Sequence, residues 1–220
     1  MIDMMIKTPG LNPLYKNNCV CGTVSPKGRE KCIPQVCFCE RGELIRNGGF
    51  EIPGPNRLDL FASWLLQARS PDIDLFRDTE NVYQGNAAAS VQTNALPIFG
   101  VSTLILRQYV DVTPGCLYKL KFAERMVTFI GDSGHLPLLA ARVVYLDRIH
   151  KQYELLNITI QKTGADEEYN LHEQTADLPV PCDVPGIIVQ FSFYIENAPG
   201  SMWNLDAVSL QPVERISACC

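Results

Sequence analysis

Nine cysteines are the residues of this chain best equipped for chemistry, and their spacing points to cross-linking. Cys19, Cys21, Cys32, Cys37 and Cys39 crowd the first stretch, Cys116 and Cys182 lie in the middle, and Cys219-Cys220 close the sequence. Cys19-Val20-Cys21 and Cys37-Phe38-Cys39 are CxC pairs, whose side chains leave an extended chain in different directions. They suit bridges to two partners, or a looped knot, better than one zinc site, which draws its ligand pairs from CxxC or wider spacing. Cys219 and Cys220 cannot bond each other without strain and look outward. Cys116 and Cys182 either pair across the fold or stay as buried thiols. An odd count leaves at least one thiol for another chain, another molecule or no partner.

Other reactive groups are sparse. His135, His150 and His172 show no ligand spacing such as HExxH and sit beside no nucleophile in a recognisable frame. Asp72, Asp74 and Asp78 lie close together, and carboxylates held about 5 to 10 Å apart can hydrolyse glycosides, but an Asp-rich turn is the commoner use of such a cluster. The expectation is a protein that is not an enzyme.

The elements that would position these groups read as strands. Tyr118, Leu120 and Phe122 alternate with Lys119 and Lys121, and Val189, Phe191, Phe193 and Ile195 alternate with Gln190, Ser192 and Tyr194, the period of half-buried strands. Further strands are expected at 43–46, 60–67, 87–93, 103–112, 138–147, 153–161 and 203–211. Gly, Pro, Asn and Asp clusters separate them, as in a sandwich. The acidic stretch 164–177 reads as a solvated loop or edge, and 128–137 as a long connection. Residues 1–42, with Pro9, Pro13, Pro26 and Pro34, show no periodicity. The reading is an irregular cysteine-rich arm (1–42), a β-sandwich (43–213) and a short tail with the cysteine pair (214–220).

A chain of 220 residues with 46% hydrophobic residues can bury one full core, and a net charge of −5 gives no electrostatic reason to approach nucleic acid or anionic lipid. Met1–Lys7 is too short and interrupted for a signal-peptide apolar region, and no segment approaches a membrane span. The expectation is therefore a protein without a Sec signal peptide that binds neither membrane nor nucleic acid.

Leu44-Ile45-Arg46-Asn47-Gly48-Gly49-Phe50-Glu51 resembles the opening strand of the jelly-roll carbohydrate-binding modules that bind cellulose, xylan and related glucans. Trp64 falls where those modules carry a tryptophan, and Tyr83–Val91 looks like their turn leading into a strand. Gln108-Tyr109-Val110 with Pro114-Gly115-Cys116-Leu117-Tyr118 is similar to their "Q-x-V … PG-x-x-Y" pattern, and Trp203–Leu210 to their closing strand. The resemblance spans most of 43–213 in the right order and implies an all-β jelly-roll sandwich.

It also implies a structural calcium ion at one edge, held by Glu51, by Asp206 and by backbone carbonyls, with Ala207 standing where a second acid is usual. Sugar binding by such a module calls for aromatic faces, and the candidates are Tyr83, Phe129, Tyr145, Tyr153 and Tyr194.

Two functional expectations follow. The first is a structural subunit of a surface layer or fibre, on an extracellular or bacterial spore surface or appendage. It would self-assemble with other copies as a disulfide-locked homopolymer through Cys19, Cys21, Cys32, Cys37, Cys39, Cys219 and Cys220. The alternative is a carbohydrate-binding module attaching to a polysaccharide.

Overall fold

A computed structural model describes residues 39, 41–55, 60–94, 101–130, 136–196 and 198–215. The described residues hold ten strands: β1 Leu65–Arg69, β2 Ile73–Asp78, β3 Ala88–Thr93, β4 Val101–Asp111, β5 Cys116–Thr128, β6 Leu138–Leu146, β7 Gln152–Gln161, β8 Asn170–Thr175, β9 Gly186–Glu196 and β10 Met202–Arg215. They form two antiparallel five-stranded sheets, ordered β1-β4-β9-β6-β7 and β2-β3-β10-β5-β8, as expected of a jelly-roll sandwich.

The period-two patterns decide which face each sheet turns inward. On β4, Ser102, Leu104, Leu106, Gln108 and Val110 are buried, while Thr103, Ile105, Arg107 and Tyr109 point the other way. On β9 the inward set is Val189, Phe191, Phe193 and Ile195. These residues meet the second sheet through aromatic contacts, Phe191 lying 5.2 Å from Phe122 and Phe193 5.9 Å from Trp203, while Trp64, just before β1, packs 6.0 Å from Phe191.

The motif residues of the resemblance turn out to be framework. The Asn47 side chain binds both the N–H and the carbonyl of Ile52, its backbone carbonyl accepts the Trp64 indole N–H at 3.0 Å, and buried Gln108 clamps the backbone of Arg46 through both ends of its amide. The Tyr118 hydroxyl accepts the Thr113 N–H at 2.8 Å and donates to the Thr113 carbonyl, closing the turn before β5.

Two expectations need correction, and a third, left open between loop and edge, resolves as an edge. Residues 43–46 form no regular strand: Leu44 donates to the Leu210 carbonyl, but Asn47 and Phe50 adopt positive φ and turn the chain away. The acidic stretch 164–177 contains β8, paired with β5 from Lys119 to Glu124, whose polar composition is that of an edge strand. Cys116 neither pairs with Cys182 nor stays a thiol. It bonds Cys39 with Cα atoms 5.9 Å apart, and Cys182 is itself in a disulfide. Cys39 therefore serves an internal bridge. Cys19, Cys21, Cys32, Cys37, Cys219 and Cys220 lie outside the described residues.

Candidate functional site

The outward face of the sheet β1-β4-β9-β6-β7 gathers the most sugar-compatible chemistry. Strand pairing sets Leu65, Arg107, Gln190, Arg142 and Asn157 side by side in one row across all five strands. Two residues along, towards one end, the row is Tyr109, Ile188, Val144 and Glu154; towards the other end come Ile105, Ser192, Ala140 and Thr159, and then Thr103, Tyr194, Leu138 and Gln161. Small or aliphatic residues thus floor the centre, long polar side chains cross it, and a tyrosine stands at each end. Tyr109 and Tyr194 are six register steps apart along β9, about 20 Å at the strand rise, room for a short oligosaccharide.

Tyr109 is 55% exposed, and the Arg107 guanidinium lies 5.2 Å from its ring centre, which fixes both. Gln190 donates to the Ser192 hydroxyl at 2.9 Å, and Arg142 stands 3.7 Å from the Glu154 carboxylate. The Nε atoms of Arg107 and Arg142 are buried without a hydrogen-bond partner. The face offers one exposed ring for stacking and several fixed donors, a set suited to holding hydroxyls but lacking a nucleophile or a paired acid and base.

Of the aromatic residues singled out in the sequence, Tyr194 alone belongs to this face. Tyr145 packs against the core and stacks on Tyr153 at 5.2 Å, Phe129 is also packed on the core, and Tyr83 lies on the loop before β3. Tyr109, Arg107, Gln190, Arg142 and Asn157 were missed. The readable signal was the outward half of the same alternation that identified the core.

Glu51 and Asp206 do come together, beside β10, the central strand of the opposite sheet. Gly49 lies beside both: a side chain at that position would touch Asp206 Oδ1 and Glu51 Oε1 at ordinary contact distance. Asp206 is buried at a bulge of β10, where Ala207 takes φ 48°. One Asp206 oxygen accepts the N–H groups of Tyr83 and Gln84 at 2.9 and 3.0 Å, the other that of Ala207 at 2.6 Å, and Glu51 accepts the Asn86 N–H at 2.6 Å. Burial drives the Asp206 carboxyl up to about 6 despite these donors, and the charge of Glu51 pushes in the same direction. Gly85 has φ 82° and sits so close to Glu51 that a Cβ would fall 1.9 Å from Oε1.

Two hard carboxylates facing each other, Asp206 with burial disfavouring its charge, fit a calcium ion. Among the described residues no group of three or more His, Cys, Asp or Glu side chains is arranged for a metal, so the other donors would be backbone carbonyls or water.

The remaining candidates are held in structural bonds. Asp72 accepts from Ser102 and Asp74 from Asn94, and Asp78 caps the N–H groups of Glu80 and Asn81. His150 is in a tight turn, and His135 lies outside the described residues. His172 stacks on Phe122 and meets Glu124, a fully buried carboxylate that also takes Lys162 at 2.8 Å and the Trp203 indole at 2.6 Å. Burial alone would raise the Glu124 carboxyl, but its bonds from His172, Lys162 and Trp203 hold it below the usual range.

No protein-family model and no curated protein matches this chain. Solved structures do. A family 61 carbohydrate-binding module in complex with β-1,4-galactotriose superposes with a TM-score of 0.51 at 16% identity, over 78% of this chain and 99% of that module. The CBM22-1 xylan-binding domain of Paenibacillus barcinonensis Xyn10C gives 0.50 at 10% identity, over 80% and 97%. The enzymatically active domain of tailspike protein 4 of bacteriophage CBA120 gives 0.54 at 13% identity; 78% of this chain is covered, but only 21% of the tailspike. The fold is therefore the jelly roll of carbohydrate-binding modules, and the superposed structures include such modules and parts of enzymes.

The expectation of a self-assembling structural subunit is corrected here. Superposition places two carbohydrate-binding modules on this fold, and Cys39, one of the cysteines assigned to intermolecular links, closes an internal bridge instead.

Proposed function

We propose that this chain is a non-catalytic module that attaches to a polysaccharide through the outward face of the sheet β1-β4-β9-β6-β7. The observation that carries the reading is the polar row Arg107, Gln190, Arg142 and Asn157 set between Tyr109 and Tyr194. The exposed Tyr109 ring stacks on the C–H face of a sugar, and the guanidinium and amide groups hold its hydroxyls. A face with tyrosines at both ends suits an internal stretch of a glycan chain. The superposed modules named for galactotriose and xylan support the class of ligand.

Glu51 and Asp206 hold a structural calcium ion in this reading, one that neutralises their charge and stabilises the 83–86 turn without touching the glycan. The Cys39–Cys116 disulfide supports an oxidising, extracellular setting.

The test is retention on insoluble cellulose, xylan and β-1,4-galactan. The intact chain is expected to be retained on at least one of them, and Tyr109→Ala to lose at least tenfold in affinity with unchanged melting. No retention on any of the three, or equal retention of the variant, contradicts the proposal.

A further inference from the structure

We propose that a cavity on the other side of the sandwich, between the loop 79–86 and the segment 163–169, is a second binding site that takes a sugar ring carrying a protonated amine. The cavity measures about 320 Å3 and is lined by Tyr83, Tyr169, Glu80, Glu167, Glu168 and Arg125, among others. Tyr83 precedes β3 and Tyr169 precedes β8, both strands of the sheet opposite the polar row.

The aromatic wall is held in place. The Tyr83 and Tyr169 rings lie 5.5 Å apart, Tyr83 is 43% exposed, and the Tyr169 hydroxyl donates to the Asn81 carbonyl at 2.7 Å. The loop that carries Tyr83 is pinned by carboxylates beneath it. Asp78 takes the N–H groups of Glu80 and Asn81, Asp206 those of Tyr83 and Gln84, and Glu51 that of Asn86. The buried side chain of Asn204 adds bonds to Asp78 and to the Asn81 carbonyl at 2.9 and 2.8 Å. A ring presented on a loop this constrained loses little freedom when a ligand stacks on it.

Charge selects the ligand. Glu80, Glu167 and Glu168 are exposed at the rim and have no ion-pair partner among the described residues. Arg125 is cationic, but its Nε is turned to the Asp166 carbonyl at 3.3 Å. A carboxylate-rich rim around a tyrosine face attracts an ammonium group, which gains from the ring quadrupole and from charged acceptors together. A uronic acid is repelled. The volume lies at the small end of ligand cavities and suits one or two rings, in contrast to the open row. That the amine arrives on a sugar rests on the polysaccharide-binding reading; the cavity and its charge do not.

The test is calorimetric titration of the full chain, in calcium-containing buffer of low salt, with the β-1,4-linked disaccharide of glucosamine. The comparison ligands are its N,N′-diacetyl form, cellobiose and Nα-acetyl-lysine amide. The aminated disaccharide is expected to bind at least tenfold more tightly than the other three. Its affinity is expected to fall at least tenfold in Tyr83→Ala and in a Glu167→Gln/Glu168→Gln double variant, whose exposed substitutions leave the fold intact. Equal affinity for the aminated and acetylated sugars overturns the proposal, as do equal affinity for the lysine amide or unchanged binding in both variants. Retention of the same wild-type protein on neutral polysaccharide is read separately, so a failure of the polar row is not mistaken for a failure of this cavity.

Discussion

Asp206 and Glu124 are both buried carboxylates, yet their neighbours send them in opposite directions. Asp206 is met by backbone donors and by a second carboxylate, and burial wins, so its carboxyl is pushed up to about 6. A calcium ion removes that disadvantage. Calcium at a hundredfold excess over its Kd should add about 2.7 kcal/mol, roughly 5–10 °C of melting temperature for a chain this size. Asp206→Asn should melt at the same temperature with calcium or with chelator; a calcium shift that survives in the variant would place the ion elsewhere. Glu124 is bonded by His172, Lys162 and an indole, and its carboxyl is lowered. A lowered carboxyl stabilises the fold above its unfolded value of about 4.5 and loses that contribution as pH falls through the folded value. Melting temperature should therefore drop steeply below pH 5. Glu124→Gln should flatten that drop and cost about 2 kcal/mol at pH 7, by taking one charged bond from Lys162, which keeps Asp166 at 2.6 Å. An unchanged acid profile in the variant would assign the drop to other groups. The meeting of Glu51 and Asp206 was legible in the sequence through the resemblance of both segments to carbohydrate-binding modules, whereas Tyr109 was hidden inside another motif. The pattern around it explains Gln108, whose side chain points inward, and says nothing of the tyrosine that points outward.

Strands with a strongly apolar inner face, such as β4, β5 and β9, were readable from alternation alone. β2 and β8 were not. Their sequences, Ile73–Asp78 and Asn170–Thr175, are rich in polar and charged residues because each lies at the edge of its sheet, where a strand needs less apolar surface and gains from charges that discourage further pairing. The row that forms the candidate site could not be assembled from sequence either, since Arg107, Gln190, Arg142 and Asn157 sit on four strands and meet only once the sheet order β4-β9-β6-β7 is known. At this scale the bridge between Cys39 and the start of β5 also acts. It closes a loop of sequence separation 77, for which the loss of unfolded-state freedom stabilises the fold by about 4 kcal/mol. Cys39→Ser should lower the urea midpoint accordingly, and the difference should vanish when wild type is unfolded in reductant; equal midpoints without reductant would mean the bridge contributes nothing.

The described residues form a sandwich with different chemistry on its two outer faces. One sheet carries a long polar row between tyrosines, and the other carries a carboxylate-pinned loop with a small cavity. The distribution of cysteines along the sequence suggested a brick for a covalent layer, because spacing shows where thiols lie in the chain but not which way they face. The internal Cys39–Cys116 bridge and a fold shared with carbohydrate-binding modules speak against that brick, and the proposal put in its place is a binding module. The measurement that tests this most directly is the backbone amide spectrum of the isotope-labelled chain during titration with xylo-, cello- and β-1,4-galacto-oligosaccharides. The account predicts that at least one series shifts the amides around Arg107, Tyr109, Arg142, Asn157, Gln190 and Tyr194 and leaves the β2-β3-β10-β5-β8 sheet unmoved. Spectra unchanged by all three series, or shifts confined to the opposite sheet, would contradict it.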